Sequence, residues 1–124
     1  PNVVARLDGS DPLLRDEVVV FSAHYDHLGL REGQEDRIFN GAWDNASGSA
    51  AILEIARGLA ALQPAPRRSV VFLLATAEER GLWGSDHFVR SGLFSVEKIA
   101  ANINLDMTDI FGIPREIVPL GVEH

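Results

Sequence analysis

The sequence predicts a three-layer α/β domain whose central sheet is mainly parallel, in a mixed arrangement, with helices on both faces. Three apolar runs of strand length, at residues 18–21, 69–75 and 99–105, carry this prediction. The first two are almost continuously apolar, which is typical of strands buried on both faces, and residues 99–105 are expected to form a third central strand. Helical patterns lie between the runs, so the order strand, helix, strand, helix, strand predicts parallel neighbours joined by crossovers.

The amino-terminal half begins with two predicted strands, over residues 3–7 and 17–23. Residues 8–12 between them read Asp-Gly-Ser-Asp-Pro, which favours a turn. Residues 29–40 are polar and contain glycine, so we expect a long surface loop there. Loops of this kind are often functional when they flank a site.

Two helices and a last strand complete the prediction. The first helix spans residues 47–62, where apolar side chains recur every three or four positions. They are Ala51, Ile52, Ile55, Leu59 and Leu62. Asn45 or Ser47 can cap its first turn, and Pro64 ends it because proline cannot continue a helix. The second helix is predicted over residues 84–91 and the last strand over residues 116–120.

The composition excludes several classes of function and of metal ligand. The chain has 124 residues, 46% of them hydrophobic, which is enough for one domain with a packed core. The net charge of -7 argues against nucleic-acid binding, which needs clustered Lys and Arg. The absence of cysteine excludes disulfides and thiolate ligands. We predict no membrane-spanning segment and see no signal peptide.

Four imidazole or carboxylate groups stand where apolar runs stop, and they are His24, Asp44, Glu79 and Asp106. His24, Glu79 and Asp106 each follow a predicted strand, and Asp44 precedes the first helix. In open α/β sheets, ligands bind beyond the carboxyl ends of the parallel strands. We therefore expect all four groups at one edge of the sheet, where a cation would offset the cost of crowding their charges.

Imidazole and carboxylate are ligands suited to zinc and similar divalent ions. His24, Asp44 and Asp106 would form the protein shell of one ion, while Asp44 and Glu79 would supply part of a second. A carboxylate has two oxygens, so Asp44 is expected to bridge both ions. Two-metal hydrolases use such a pair to hold a hydroxide and to stabilise the oxyanion that forms.

Two further carboxylates are predicted to assist the chemistry. Asp26 follows His24 by two residues and is expected to accept the second imidazole N–H, which fixes the tautomer. Adjacent side chains diverge, so Glu78 is expected to face the attacking water while Glu79 faces a metal ion. Glu78 is thus the predicted general base. For His27 we expect a loop or packing role.

Four segments of the chain resemble the co-catalytic di-zinc aminopeptidases of the bacterial leucyl aminopeptidase type, a family that includes glutamate carboxypeptidase-like enzymes. They are residues 22–29 (SAHYDHLG), 40–48 (NGAWDNASG), 75–85 (ATAEERGLWGS) and 104–107 (NLDM). Together they occur in order along nearly the whole chain. The resemblance implies a zinc-exopeptidase-like fold, two zinc ions and hydrolysis of the peptide bond next to a free N-terminus.

Carried over by position, the resemblance assigns roles that agree with those expected from the residues. His24 and Asp106 bind one zinc, Asp44 bridges both, Glu79 binds the other, Glu78 is the base and Asp26 supports His24. The implied substrates are the N-termini of peptides or small proteins, and an exported location (periplasmic or extracellular) is suggested.

One part of the family pattern lies outside the chain. The fifth ligand is a histidine many tens of residues beyond the Leu-Asp-Met motif, so His124 does not match it. We therefore expect residues 1–124 to be the N-terminal portion of a single catalytic domain, truncated on its C-terminal side, with little peptidase activity alone. A truncated sheet would expose an edge strand and favour self-association.

Three alternatives remain open at this point. A zinc acyltransferase of the glutaminyl-cyclase kind would keep the fold with one working zinc. A non-catalytic interaction domain would have lost its ligands, although Asp44 and the Glu78–Glu79 pair are present. Aminopeptidase and carboxypeptidase differ in pocket charge rather than in metal ligands, so the motifs do not separate them.

Overall fold

The computed structural model describes residues 1–33, 35–108 and 112. The strands are β1 (Val3–Leu7), β2 (Val18–His24), β3 (Ser69–Ala75) and β4 (Ile99–Asn104). The helices are α1 (Gly48–Ala60) and α2 (Trp83–Arg90), with a 3₁₀ turn at Val96–Lys98 before β4. A kinked helical segment, Ala42–Ser47, leads into α1.

The four strands form one sheet in the order β1-β3-β2-β4. β2 pairs in parallel with both β3 and β4, while β1 pairs antiparallel with β3. The predicted mixed, mainly parallel sheet is therefore confirmed. β2 and β3 are in register from their first residues to their last, so their carboxyl ends reach the same edge.

Helices cover both faces of the sheet. Alternate side chains of β3 point to opposite faces, and each set packs against a different helix. Val71 and Leu73 share one cluster of buried residues with Phe88 of α2. Val70 and Phe72 share the other with Ile52 of α1. The two-sided burial read from the continuous apolar runs holds for β2 and β3, and the three-layer architecture is confirmed.

Most predicted boundaries lie within two residues of those observed, with β1 and β3 matching throughout. α1 ends at Ala60, and Leu62, the last residue of the predicted stripe, is half exposed. β4 was expected to be a third central strand, but it is an edge strand of the described sheet and is mostly exposed. The strand predicted over residues 116–120 lies outside the described residues.

The polar segment over residues 29–40 is a loop, as predicted, with some order of its own. Leu30 and Ile38 form an antiparallel bridge, and the Phe39 N–H donates to the Gly29 carbonyl at 2.9 Å. The loop therefore turns back on itself and returns the chain to the end of β2. Among the described residues, the helices are too short or too polar to cross a membrane.

Candidate metal centre

The site lies at the carboxyl ends of the parallel strands. His24 is the last residue of β2 and pairs with Ala75, the last residue of β3. Beyond β4, the Leu105 N–H donates to the Ser22 carbonyl at 2.8 Å. This bond keeps the chain alongside β2 and delivers Asp106 to the same edge as His24.

A first group of donors surrounds the imidazole of His24. Its Nε2 lies 3.0 Å from Asp44 Oδ1 and 3.5 Å from Asp106 Oδ1. The histidine ring is buried, whereas the two carboxylates are about one-third exposed at the mouth of the site. The structure thus brings together the three residues predicted for the first ion.

A second group of donors lies on the other side of Asp44. His27 Nδ1 is 2.7 Å from Glu79 Oε1 and 3.8 Å from Asp44 Oδ2. In each of the two groups, the donor atoms lie within 4.8 Å of one another. Asp44 directs Oδ1 towards His24 and Oδ2 towards His27, which is the placement that a shared ligand requires. Its role as a ligand stays a prediction.

His27 is the member of the site that sequence reasoning missed. It packs edge-on against Phe39, with ring centroids 5.7 Å apart, which agrees with the packing role expected for it. It also faces Glu79, across 52 positions of the chain. One feature of the sequence could have identified His27. It lies three residues after His24, just beyond the end of the strand where the site was expected.

Asn45 ties the two acidic loops of the site together. Its side chain is buried, and its Oδ1 accepts the N–H groups of Gly48 at 3.0 Å and Met107 at 3.3 Å. Its Nδ2 donates to the Leu105 carbonyl at 3.0 Å. Of the two predicted caps, Asn45 is therefore the one that bonds the start of α1. The same side chain holds the segment that carries Asp106.

Asp26 contacts His24 through a different atom from the one expected. Its backbone carbonyl lies 3.0 Å from His24 Nδ1, whereas its carboxylate Oδ1 is 3.7 Å from that nitrogen. The carboxylate instead accepts the Glu78 backbone N–H at 3.3 Å. Asp26 thus touches both the imidazole and the segment that carries Glu78 and Glu79.

Glu78 points into the same site from the end of β3. Its Oε2 lies 4.0 Å from His24 Nε2. Burial raises the pKa of the Glu78 carboxyl above its ordinary value, the charge of His24 opposes this, and the charge of Glu79 adds to it. A carboxyl with a raised pKa holds a proton more firmly once it has received one, which suits an acid–base role.

The charges around His24 indicate why a cation fits. Burial lowers the pKa of His24, but nearby negative charge, that of Asp106 first, outweighs it and leaves the pKa raised. If Nδ1–H donates to the Asp26 carbonyl, the lone pair of Nε2 faces carboxylate oxygens. Such acceptors repel unless a proton or a metal ion lies between them. Imidazole with carboxylates is a donor set that zinc accepts.

A cavity of about 260 Å³ opens beside the first group of donors. Its lining includes His24, Glu78 and Asp106, together with Leu82 and Asn102. The space therefore adjoins two predicted ligands of the first ion and the predicted base, Glu78. Its mixed lining, part apolar and part polar, is typical of small-molecule sites.

Comparison with known proteins places the chain in a family. A profile described as peptidase family M28 matches residues 2–117. The chain is 34% identical over 119 residues to a probable zinc metalloprotease of Phaeosphaeria nodorum, covering 86% of this chain and 23% of that protein. It is also 34% identical over 111 residues to leucine aminopeptidase 1 of Trichophyton rubrum, covering 86% of this chain and 28% of that protein.

Solved structures of similar fold support the same family assignment. LapA from Legionella superposes with a TM-score of 0.70 at 33% identity, covering 87% of this chain and 27% of that one. BSAP, a zinc aminopeptidase from Bacillus subtilis, superposes with a TM-score of 0.65 at 30% identity, covering 86% and 24%. The chain thus spans about a quarter of the length of these relatives. Its sequence and its fold together show that it belongs to peptidase family M28.

Proposed function

We propose that this chain carries most of the metal site of a zinc exopeptidase, an aminopeptidase that hydrolyses the peptide bond next to a free N-terminus. The observation that carries the proposal is the pair of donor groups that share Asp44. Membership of a peptidase family supports hydrolysis. The names of its relatives, a leucine aminopeptidase and a zinc aminopeptidase, favour an aminopeptidase over a carboxypeptidase.

We propose two zinc ions for the complete site. His24, Asp44 and Asp106 would hold one ion, and Asp44 with Glu79 would hold the other. Zinc bound there would supply Lewis acidity, which polarises a carbonyl and acidifies water. The complete shell of the second ion would include a histidine from outside residues 1–124, so these residues would form the N-terminal portion of the catalytic domain and have little activity alone.

Glu78 is the residue that we propose to move the proton. Its carboxylate would accept a proton from the attacking water and pass it to the nitrogen of the departing amine. The raised pKa of Glu78 serves this cycle, because a general base works best when its pKa approaches the working pH. Asp26 would keep His24 oriented through the 3.0 Å contact between the Asp26 carbonyl and Nδ1.

Glu78→Gln in the full-length protein tests the base assignment. The substitution keeps the size and polarity of the side chain but removes its ability to accept the proton. We expect kcat on a leucine anilide to fall by about 10²- to 10⁴-fold with bound zinc unchanged. Asp86→Asn is a matched control, because Asp86 is exposed on α2 and pairs with Arg90 rather than with the site.

Metal content tests the alternatives. Two zinc ions per active protein, reduced by Asp44→Asn, would support the exopeptidase. One zinc per active protein would support an acyltransferase of the glutaminyl-cyclase kind instead. Full function with Glu78→Gln and no bound metal would support a non-catalytic interaction domain and refute the proposal.

A further inference from the structure

We infer that His27 is a positioning residue of the second ion site, which holds the Glu79 carboxylate in one orientation by a hydrogen bond from Nδ1–H to Oε1. The inference rests on the proposed function, because Glu79 is taken as a ligand of the second ion. His27 lies beside the proposed metal ligands, but neither of the two proposed ligand sets includes it.

The distance between the two atoms favours a hydrogen bond. His27 Nδ1 and Glu79 Oε1 are 2.7 Å apart, the length of a charge-assisted hydrogen bond. Two donors that share one tetrahedral zinc lie about 3.4 Å apart, given metal–ligand bonds of about 2.1 Å. His24 Nε2 lies 3.0 Å from Asp44 Oδ1 and 3.5 Å from Asp106 Oδ1, on either side of that spacing. The His27–Glu79 pair is shorter, so the two side chains hold each other.

The surroundings of His27 restrict its ring. Phe39 packs edge-on against it, and the Arg31 guanidinium lies 4.8 Å from the centre of the Phe39 ring. On another side, a Cβ placed on Gly41 would lie 3.0 Å from His27 Cβ. Gly41 has φ of 67°, a conformation that L side chains rarely adopt, so the chain passes close to the ring only because the residue is glycine.

The restricted ring has a consequence for Glu79. Both side chains are largely buried, 18% and 19% exposed, so water competes little for the bond between them. With Oε1 engaged, Oε2 is the oxygen left to meet an ion. Hydrogen bonds to ligating carboxylates orient them, and losing such a partner typically costs about 10- to 100-fold in metal affinity.

Three substitutions in the full-length protein test this role. His27→Ala removes the donor. His27→Asn restores one, because the asparagine Nδ2 lies close to the position of the histidine Nδ1, yet an amide nitrogen does not bind zinc. His87→Ala is the matched control, since it removes an exposed imidazole of α2 outside the site. The readout is zinc affinity for each site, measured by competition with a chromophoric chelator.

For His27→Ala, we expect zinc affinity to fall about 10- to 100-fold at the second ion site and to stay unchanged at the first. His27→Asn should recover most of that loss, and His87→Ala should match the wild type. Unchanged affinity in His27→Ala would overturn the inference. So would equal losses in the alanine and asparagine variants, which would make His27 a ligand or a packing residue. A wild-type protein that binds no zinc would instead refute the proposed function.

Discussion

Gly48→Ala should weaken zinc binding although Gly48 is not a ligand. Gly48 begins α1 and lies against the two loops that carry Asp44 and Asp106. A Cβ at this position would lie 2.5 Å from the Leu105 carbonyl oxygen and would also meet the Asn45 side chain. That contact is one that real Cβ atoms essentially never make, so the backbone around Leu105 or the start of α1 must shift.

The size of the shift follows from the overlap. Ordinary contact begins at 3.4 Å, so separation from the Leu105 oxygen requires a movement of 3.4 − 2.5 = 0.9 Å. Asn45 donates to the Leu105 carbonyl and accepts from the Gly48 and Met107 N–H groups, so these bonds transmit that movement to Asp106, the residue after Leu105. Binding sites tolerate displacements of only about 0.5 Å, so we expect zinc affinity at the His24 site to fall by about 10-fold or more.

Gly58→Ala is the matched control for this substitution. Gly58 lies in the same helix, and a Cβ there would meet nothing within 4 Å. Because alanine is the better helix former, this variant should be more stable by about 0.5–1 kcal/mol and bind zinc as the wild type does. Zinc affinity is measured by chelator competition and stability by urea unfolding. Equal zinc affinity in the two variants would refute the reasoning.

Three further predictions concern the core, the charges and Asp26. Ile52→Ala should lower the free energy of unfolding, measured by urea titration, by about 2–5 kcal/mol, because the Ile52 side chain is 1% exposed where α1 packs on the sheet. Leu53→Ala should change this free energy little, because Leu53 is exposed. In chelator-treated protein, the raised pKa values of His24 and Glu78 mean that the folded state binds protons more tightly than the unfolded state. Their contribution to the free energy of unfolding is present at low pH and lost as the pH rises. The melting temperature should therefore be lower near pH 8 than near pH 5. The absence of this trend in the His24→Ala, Glu78→Gln double variant would confirm that these two groups cause it. Asp26→Asn keeps the backbone carbonyl, so zinc affinity should fall less than about 10-fold; a larger loss would show that the carboxylate, and not the carbonyl, orients His24.

The sequence determined the sheet and the approximate position of the site. Continuous apolar runs mark β2 and β3 because two-sided burial admits few polar residues. Parallel pairing then brings their carboxyl ends to one edge, so polar residues that directly follow them must lie near each other. His24 and Glu79 could be placed in this way without knowledge of any loop conformation.

The contacts made through loops could be seen only in the tertiary structure. Whether His27 reaches Glu79, and which atom of Asp26 meets His24, follow from backbone angles after the strands, such as the positive φ of Gly41. The exposure of β4, an edge strand of the described sheet, likewise depends on which elements pack against it and not on its own apolar composition. Periodicity reports which side of an element is buried, but a contact between residues some fifty positions apart depends on the path of every turn between them.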